Sequence, residues 1–290
     1  MKIETLANLI KGELLNSPFI SEVTSFTMDV DEVTRGSCFF VTNSEDIKYA
    51  IKNGAYAIIS KNYEKIIDNE IAWIKVDSIK GAILEIFKYE SLKEKIYFCN
   101  EIEEELLEKM NLNKNVIILK NSNDLLKALN INNKFLITSK EEYKSLIKLE
   151  ELGNSEINLE YVSLFKSKYN GIEINLPFVY KDFFARVLNF FRRYNLKYTL
   201  EFELDRFKPI FIDYEFREVE YGSSERVLIS GLKNDKFLFD ELNFIIDKTK
   251  HAKTIIINEN NKDILKKGFN FAMLVDTKIE LNKKEEKALL

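Results

Sequence analysis

The sequence predicts an α/β protein built from parallel strand and helix units. Short apolar runs rich in Val, Ile and Phe alternate with segments that place apolar residues at helix spacing along most of the 290-residue chain. Alternation of this kind favours a parallel sheet covered by helices. With 46% hydrophobic and 31% charged residues the chain can bury a sizeable core, and its length allows two or three domains.

The first half of the chain carries the clearest alternation. An N-terminal helix is predicted from the apolar residues Ile3, Leu6, Leu9, Ile10 and Leu14. Strands are predicted at 37–42, 56–60, 72–76, 96–99, 116–119 and 135–138. The helices predicted between and after them are 44–53, 78–90, 101–110, 122–129 and 140–149.

The best candidate for a domain boundary lies around Gly153-Asn-Ser155, after which the sequence pattern changes. An extended segment at 173–177 leads into a long aromatic helix near 180–194. Strands are then predicted at 209–213, 226–230, 254–257 and 271–275, with helices near 236–249 and 260–267.

Composition excludes several classes of chemistry. No two of the nine glycines lie within five residues of each other, so neither the Gly-rich phosphate loop nor the dinucleotide-binding fingerprint is present. The single histidine, His251, cannot supply a His-rich zinc site, and a capping role near a helix end is favoured for it over catalysis. Cys38 and Cys99 match no metal spacing and are interpreted as buried thiols of a reducing compartment.

Charge and hydropathy also limit the choice of partner and location. With 43 basic and 47 acidic residues the net charge is −4, which does not favour a nucleic-acid partner. The N-terminal stretch lacks a basic segment followed by an apolar one, and no apolar run reaches about 18 residues. We therefore expect a cytoplasmic, soluble protein without a membrane span.

Residues 26–41 and 47–59 resemble the N-terminal domain of the Mur ligases, which use ATP to join amino acids or peptides to UDP-N-acetylmuramoyl precursors of peptidoglycan. The positions that match are Asp29, Val33, Gly36, Ser37, Phe39, Ala50, Gly54, Ala55 and Ala57. The resemblance implies a small N-terminal α/β domain at 1–92, a reduced central α/β region at 93–222 and a C-terminal α/β domain at 223–290. Within the family, the subgroup that adds D-Ala-D-Ala is the most similar.

The matching residues are those that a fold needs, whereas the substrate contacts of the family are missing. The Ser-Arg of its Asp-Ser-Arg motif is replaced by Val30-Asp31, and its Asp-Gly-His segment is absent. Asp31 would place a negative charge where a pyrophosphate needs a cation.

The position of the family's ATP loop is also changed. Here the strand Lys95–Cys99 is followed by 100–105, Asn-Glu-Ile-Glu-Glu-Glu, which contains no glycine. Asn100 and Glu103 form a capping-box pattern, and four glutamates satisfy the helix dipole. This start of a helix is predicted to repel a nucleotide phosphate, so the sequence predicts no ATP site and no other cofactor.

Two weaker similarities follow. Ile174–Phe178 and the helix with Ala185 and Leu188 occupy the place of an extended strand and helix of the family, but 179–182 replace its Gly-x-His-Asn segment. Residues 226–235 are similar to the strand that opens the family's C-terminal domain, where only Asn234 remains of an Asp-x-Tyr-Asn signature.

Other clusters have two interpretations each. One cluster of acidic residues is either a metal site or, in the favoured interpretation, a solvated acidic strand balanced by nearby arginines. The acidic residues are Asp205, Asp213, Glu215, Glu218 and Glu220, and the arginines are Arg206, Arg217 and Arg226. The loop Gly222–Arg226 either binds an anion or, as favoured, only links two strands.

The aromatic helix also has two interpretations. It is either a stacking and phosphate-binding face or, in the favoured interpretation, a core of phenylalanines with the arginines facing solvent. The residues concerned are Arg186, Arg192, Arg193, Phe183, Phe184, Phe190 and Phe191. Trp73 is predicted to be a core residue.

These observations predict a non-catalytic Mur-ligase-like protein, with no residue assigned to catalysis, a cofactor or a metal. An interaction or regulatory role connected with peptidoglycan precursor synthesis, through a protein partner, is favoured. Two alternatives stay open: a binder of a UDP-sugar or muramoyl-peptide precursor, and a structural subunit of a larger assembly. An active amide ligase is the least favoured function, and fold alone does not decide among them.

Overall fold

The computed structural model describes residues 1–92, 94–144 and 149–282. The chain forms two compact units. The first contains Met1–Glu104 and Asn113–Leu152, and the second contains Glu105–Leu112 and the residues from Gly153 onward. The three-region division inferred from the sequence stays a prediction.

Within the described residues seven α-helices and sixteen strands are assigned. The helices are α1 (Ile3–Leu9), α2 (Ile47–Lys52), α3 (Ile79–Glu90), α4 (Glu101–Met110), α5 (Ser122–Leu129), α6 (Lys181–Arg193) and α7 (Leu238–Lys248). The strands are β1 (Glu13–Leu14), β2 (Ser25–Thr27), β3 (Ser37–Phe40), β4 (Ala57–Ser60), β5 (Ala72–Lys75), β6 (Ile96–Phe98), β7 (Val116–Ile118), β8 (Phe135–Thr138), β9 (Leu149–Glu151), β10 (Leu159–Tyr161), β11 (Ser167–Tyr169), β12 (Ile172–Ile174), β13 (Lys208–Ile212), β14 (Arg226–Leu232), β15 (Thr254–Ile257) and β16 (Phe271–Val275). Short 3-10 helices lie at Val30–Glu32, Ser44–Asp46, Glu141–Tyr143, Phe178–Tyr180 and Lys262–Lys267.

The first unit contains two sheets. One has the order β1-β5-β4-β3-β2, with β1 antiparallel and the other strands parallel. The other has the order β7-β8-β6-β9 and is parallel throughout. One hydrophobic core joins them, because side chains of both sheets, such as Ile59 and Leu136, pack with Phe87 of α3 and Leu126 of α5. This parallel α/β architecture is the predicted fold class.

The turn before β4 explains one glycine of the N-terminal match. Gly54 adopts a φ of +102°, and a Cβ at this position would lie 2.9 Å from the Cα of Arg35. Only glycine tolerates both this backbone and this approach. Its carbonyl oxygen accepts a hydrogen bond from the backbone N–H of Gly36 at 2.9 Å, which ties the turn to the start of β3.

The second unit combines an antiparallel sheet of order β10-β11-β12 with a four-stranded sheet of order β13-β14-β16-β15. In the latter, β13 is antiparallel to β14, whereas β14, β16 and β15 are parallel. Helix α6 buries Phe184, Phe190 and Phe191. Arg192 and Arg193 are exposed, which confirms the favoured interpretation of this helix as a core element with a solvent-exposed face.

Some sequence-based assignments are wrong. Of the helix predicted at 140–149, only a 3-10 turn at Glu141–Tyr143 forms, residues 145–148 lie outside the described residues, and Leu149 begins β9. The N-terminal helix ends at Leu9, and Leu14 lies in β1. The helix predicted near 260–267 is present as a 3-10 helix at Lys262–Lys267, whereas the strands β2, β10 and β11 were not predicted.

No helix among the described residues combines the length and the apolar character needed to cross a membrane.

Candidate functional site

The carboxyl ends of β6, β7 and β8 meet at one edge of the parallel sheet, where α/β proteins bind ligands. The backbone N–H of Cys99 donates to the carbonyl of Thr138 at 3.0 Å. The hydroxyl of Thr138 donates to the carbonyl of Leu119 at 2.9 Å. These bonds hold the three strand ends together directly beside the start of α4.

The start of α4 is closed by its own side chains. The Oδ1 atom of Asn100 accepts hydrogen bonds from the backbone N–H groups of Ile102 (3.0 Å) and Glu103 (2.9 Å). Oε2 of Glu103 accepts from the N–H of Asn100 at 2.9 Å, and this glutamate is buried. The capping box predicted from the sequence is therefore formed, and it uses the N–H groups that a phosphate would need.

A second glutamate extends across the edge of the sheet. Oε2 of Glu104 accepts from the backbone N–H of Ser139 at 3.1 Å, just after β8. Its Oε1 lies 3.9 Å from Nζ of Lys120, which follows β7. One carboxylate thus joins α4 to the loops after two neighbouring strands.

The electrostatic character of this edge is negative. Burial raises the pKa of the Cys99 thiol well above its usual range, and the carboxylates of Glu104, Glu103 and Glu101 raise it further. The same negative field disfavours a phosphate. Burial likewise raises the pKa of Cys38, so both thiols are protonated and unsuited to nucleophilic chemistry.

Replacing Asn100 by alanine is expected to lower the free energy of unfolding by about 1–2 kcal/mol, because two backbone N–H groups at the start of α4 lose their acceptor. Urea denaturation followed by circular dichroism measures the change. Asn62→Ala, at an exposed asparagine, is the matched control and should change the stability little. Equal stabilities of the two variants would contradict the closed helix start.

A second polar cluster lies in the interior of the second unit. Arg206 donates from Nε (2.5 Å) and Nη2 (2.8 Å) to the carboxylate of Glu241 on α7. It also donates from Nη1 (2.6 Å) and Nη2 (2.8 Å) to Asp235. The hydroxyl of Tyr180 donates to Oε1 of Glu241. Arg206, Glu241 and Tyr180 are all buried, so this network fixes the loop before β13 against α7.

The ionisation of this network follows from its contacts. Burial opposes the charge on Arg206, but its hydrogen bonds to Glu241 and Asp235 prevail and raise its pKa. Partial burial likewise disfavours the charged form of Asp235, yet the guanidinium of Arg206 lowers the pKa of this carboxyl below its usual range. The cluster is a saturated ion network and offers no free group for chemistry.

The structure separates the acidic residues that the sequence analysis considered together. Asp213 accepts from Nε of Arg217 at 3.0 Å, and Glu215 pairs with the same guanidinium. Asp205 pairs with Lys109 on α4 at 3.0 Å. Across the described ranges 1–92, 94–144 and 149–282, no group of three or more His, Cys, Asp or Glu residues could hold a metal ion.

The loop Gly222–Arg226 links two strands, and its hydroxyls are used internally. Ser223 donates to the carbonyl of Glu220 at 2.7 Å, and Ser224 donates to the carbonyl of Ile212 at 2.6 Å. Arg226 lines a cavity together with Tyr214, Phe216 and Phe269.

The remaining residues considered in the sequence analysis lie at the surface or in the core. His251 is exposed three residues after α7, and Asn234 is exposed after β14. Trp73 is buried in β5, as predicted, and its indole N–H donates to the carbonyl of Asp68 at 2.7 Å. Asp31 is exposed in the 3-10 turn that the side chain of Asp29 caps at 3.0 Å.

Glu241 was not singled out in the sequence. A signal was nevertheless present, because Glu241 lies four residues before the buried Ile245 and shares the inner face of α7 with it. A carboxylate on a buried face requires a cation, but the sequence does not indicate that the cation is Arg206.

Solved structures similar to this chain include Mur ligases. The crystal structure of MurF from Acinetobacter baumannii has a TM-score of 0.50 and 8% identity, covering 89% of this chain and 78% of that one. The UDP-N-acetylmuramoylalanyl-D-glutamyl-2,6-diaminopimelate–D-alanyl-D-alanyl ligase of the same organism has a TM-score of 0.49 and 8% identity, covering 94% of both chains. MurF from Thermotoga maritima in complex with ADP has a TM-score of 0.45 and 10% identity, covering 87% and 93%.

The match to the first MurF structure shows that this α/β protein has a Mur-ligase-like fold, as the sequence predicted. Neither a protein-family profile nor a curated protein sequence matches the chain.

Proposed function

We propose that the protein is a non-catalytic member of the Mur-ligase fold that acts in the cytoplasm as an interaction or regulatory module of peptidoglycan precursor synthesis. The observation that carries this proposal is the closed start of α4. Asn100 and Glu103 occupy the backbone N–H groups at the sheet edge where, by resemblance, the ligases bind ATP.

The physical argument concerns the charge and the donors that ATP needs. A nucleotide phosphate at a helix start requires free backbone N–H groups and usually a lysine or a divalent cation. At the start of α4 the carboxylate of the buried Glu103 accepts from a backbone N–H group, and the carboxylate of Glu104 lies nearby. Both place negative charge where the phosphate would bind. Opening the site would leave the Glu103 carboxylate buried without its backbone partner, which adds an energetic penalty to the repulsion of the phosphate.

Phosphate release in the presence of MgATP, a UDP-muramoyl-peptide and an amino acid or dipeptide tests the absence of ligase activity. We expect the rate to equal that of a protein-free blank, whereas an active MurF in the same assay provides the positive control. ATP-dependent phosphate release that requires the muramoyl-peptide would refute the proposal.

The partner interaction has its own support in α7. Phe239 and Ile246 are seven residues apart on one side of this helix, and these residues are 71% and 55% exposed. Two large apolar side chains in this arrangement favour contact with another protein. We propose that this side of α7 contacts a peptidoglycan-precursor ligase.

Titration calorimetry with purified MurF from the organism that encodes this protein tests this contact. Phe239→Asp is expected to weaken binding at least about tenfold, because it places a charge in an apolar contact. Phe19→Asp is the matched control, since Phe19 is a phenylalanine of similar exposure in the first unit, and it should leave the affinity unchanged. Equal effects of the two substitutions would contradict the assignment of the contact to α7.

A further inference from the structure

A cavity of about 330 Å³ opens beside the first residue of β14 in the second unit. Its walls are formed by Tyr214, Phe216, Glu225, Leu265, Lys266 and Phe269, together with Arg226. The cavity lies at the amino end of the parallel strands, because Arg226 begins β14 and Phe269 precedes β16. It shares no lining residue with the Arg206 network.

Three aromatic rings surround the guanidinium of Arg226. Its Cζ lies 4.6 Å from the ring centroid of Phe269, 4.8 Å from that of Phe216 and 5.5 Å from that of Tyr214. Cation–π attraction stabilises a charge in this position but supplies no hydrogen-bond acceptor in the plane of the guanidinium. Tyr214 is 85% exposed and forms the outer wall.

The hydrogen bonds of Arg226 are incomplete. Its side chain is buried, and its only hydrogen bond within the described part of the chain is a long one of 3.5 Å from Nη1 to the carbonyl of Asp213. Nε is buried and has no partner among the described residues. The nearby carboxylates of Asp213 and Glu215 are engaged by Arg217.

Arg206, the other buried arginine, has the carboxylate acceptors that Arg226 lacks among the residues that the structure describes. Arg206 donates through Nε, Nη1 and Nη2 to two carboxylates, whereas no carboxylate of the described residues forms an ion pair with Arg226. A buried donor left unsatisfied costs about 1–3 kcal/mol, and more when it is charged. A ligand that supplies an acceptor to Nε would recover this energy.

We propose that the Arg226 cavity binds the carboxylate group of a small apolar acid. A carboxylate accepts two parallel hydrogen bonds from the guanidinium fork, and the rings and Leu265 provide an apolar surface for the rest of the ligand. A phosphate dianion is less suited, because Glu225 faces the cavity and Lys266 is already paired with Asp263 at 2.9 Å. This site is independent of the function proposed above.

The experiment follows the Nε–H resonance of Arg226 by 15N-edited NMR on the full chain during titration. The probes are benzoate, N-acetylphenylalanine and inorganic phosphate. Benzoate represents a free small acid and N-acetylphenylalanine a peptide carboxyl end, so the first two probes distinguish the sources of one ligand chemistry. We expect saturable binding of at least one of them below about 10 mM and none of phosphate.

Variants connect the binding to the proposed groups. Arg226→Lys keeps the charge but loses the fork, and it should weaken binding, measured by calorimetry, at least about tenfold. Tyr214→Ala changes an exposed wall, so folding is retained, and it should weaken binding about threefold or more. Arg193→Gln, at an exposed arginine of α6, is the control and should have no effect.

The binding experiments have results that support the carboxylate site and results that overturn it. Binding of a carboxylate that is lost in Arg226→Lys and reduced in Tyr214→Ala supports the site. Binding of phosphate alone, absence of saturable carboxylate binding, or an affinity that Tyr214→Ala leaves unchanged would overturn it. None of these results bears on ATP or on α7, so a failure here is distinguishable from a failure of the proposed function.

Discussion

Replacing Glu241 by alanine is expected to lower the free energy of unfolding by about 3–5 kcal/mol, because it leaves the buried guanidinium of Arg206 without its most buried carboxylate. The substitution also removes the acceptor of the Tyr180 hydroxyl, which lies in the same buried cluster. Asp235 alone cannot compensate, since it is partly exposed and its two bonds to Arg206 already exist. Urea denaturation monitored by circular dichroism measures the loss.

Two companion variants make this expectation specific. Glu203→Ala removes an exposed carboxylate that pairs with Lys208 at 3.4 Å, and it should cost less than about 1 kcal/mol. The double variant Arg206→Met/Glu241→Leu removes both buried charges and should recover most of the stability lost in Glu241→Ala. A double variant as unstable as the single one would show that packing, and not the uncompensated charge, accounts for the loss.

Local signals in the sequence were sufficient for the starts of α4 and α5. The capping box at Asn100 and Glu103 was predicted because both partners lie within four residues, and the structure forms both of its hydrogen bonds. The same locality explains why α5 could be predicted from 122 to 129 with matching bounds. The exclusion of a glycine-rich loop needed no structure, because the spacing of glycines can be read from the sequence directly.

The features that were missed depend on partners outside their own segment of the chain. β10 and β11 are three residues each, contain exposed charged side chains, and exist through their antiparallel pairing with each other. β9 forms because Leu149 pairs with Ile96 of β6, 53 positions earlier in the chain. Likewise the unpaired state of Arg226 is visible only when the ion pairs of Asp213 and Glu215 with Arg217 are known.

Replacing Gly231 by alanine is expected to lower the free energy of unfolding by about 3–5 kcal/mol, from left-handed backbone strain together with a steric clash. Gly231 interrupts β14 with a φ of +77°, and a Cβ at this position would lie only 2.0 Å from the carbonyl oxygen of Asp205. Asp205 directly precedes Arg206, so a shift of this backbone also disturbs the buried ion network.

Gly222 provides a matched control for this substitution, since it has the same φ of +77° but no heavy atom within 4 Å of the added Cβ. Gly222→Ala should therefore show the backbone strain alone, about 1–2 kcal/mol. The difference between the two alanine variants in urea denaturation measures the contact between β14 and Asp205. Equal losses would mean that this contact relaxes freely, and that the position of Arg206 does not depend on β14.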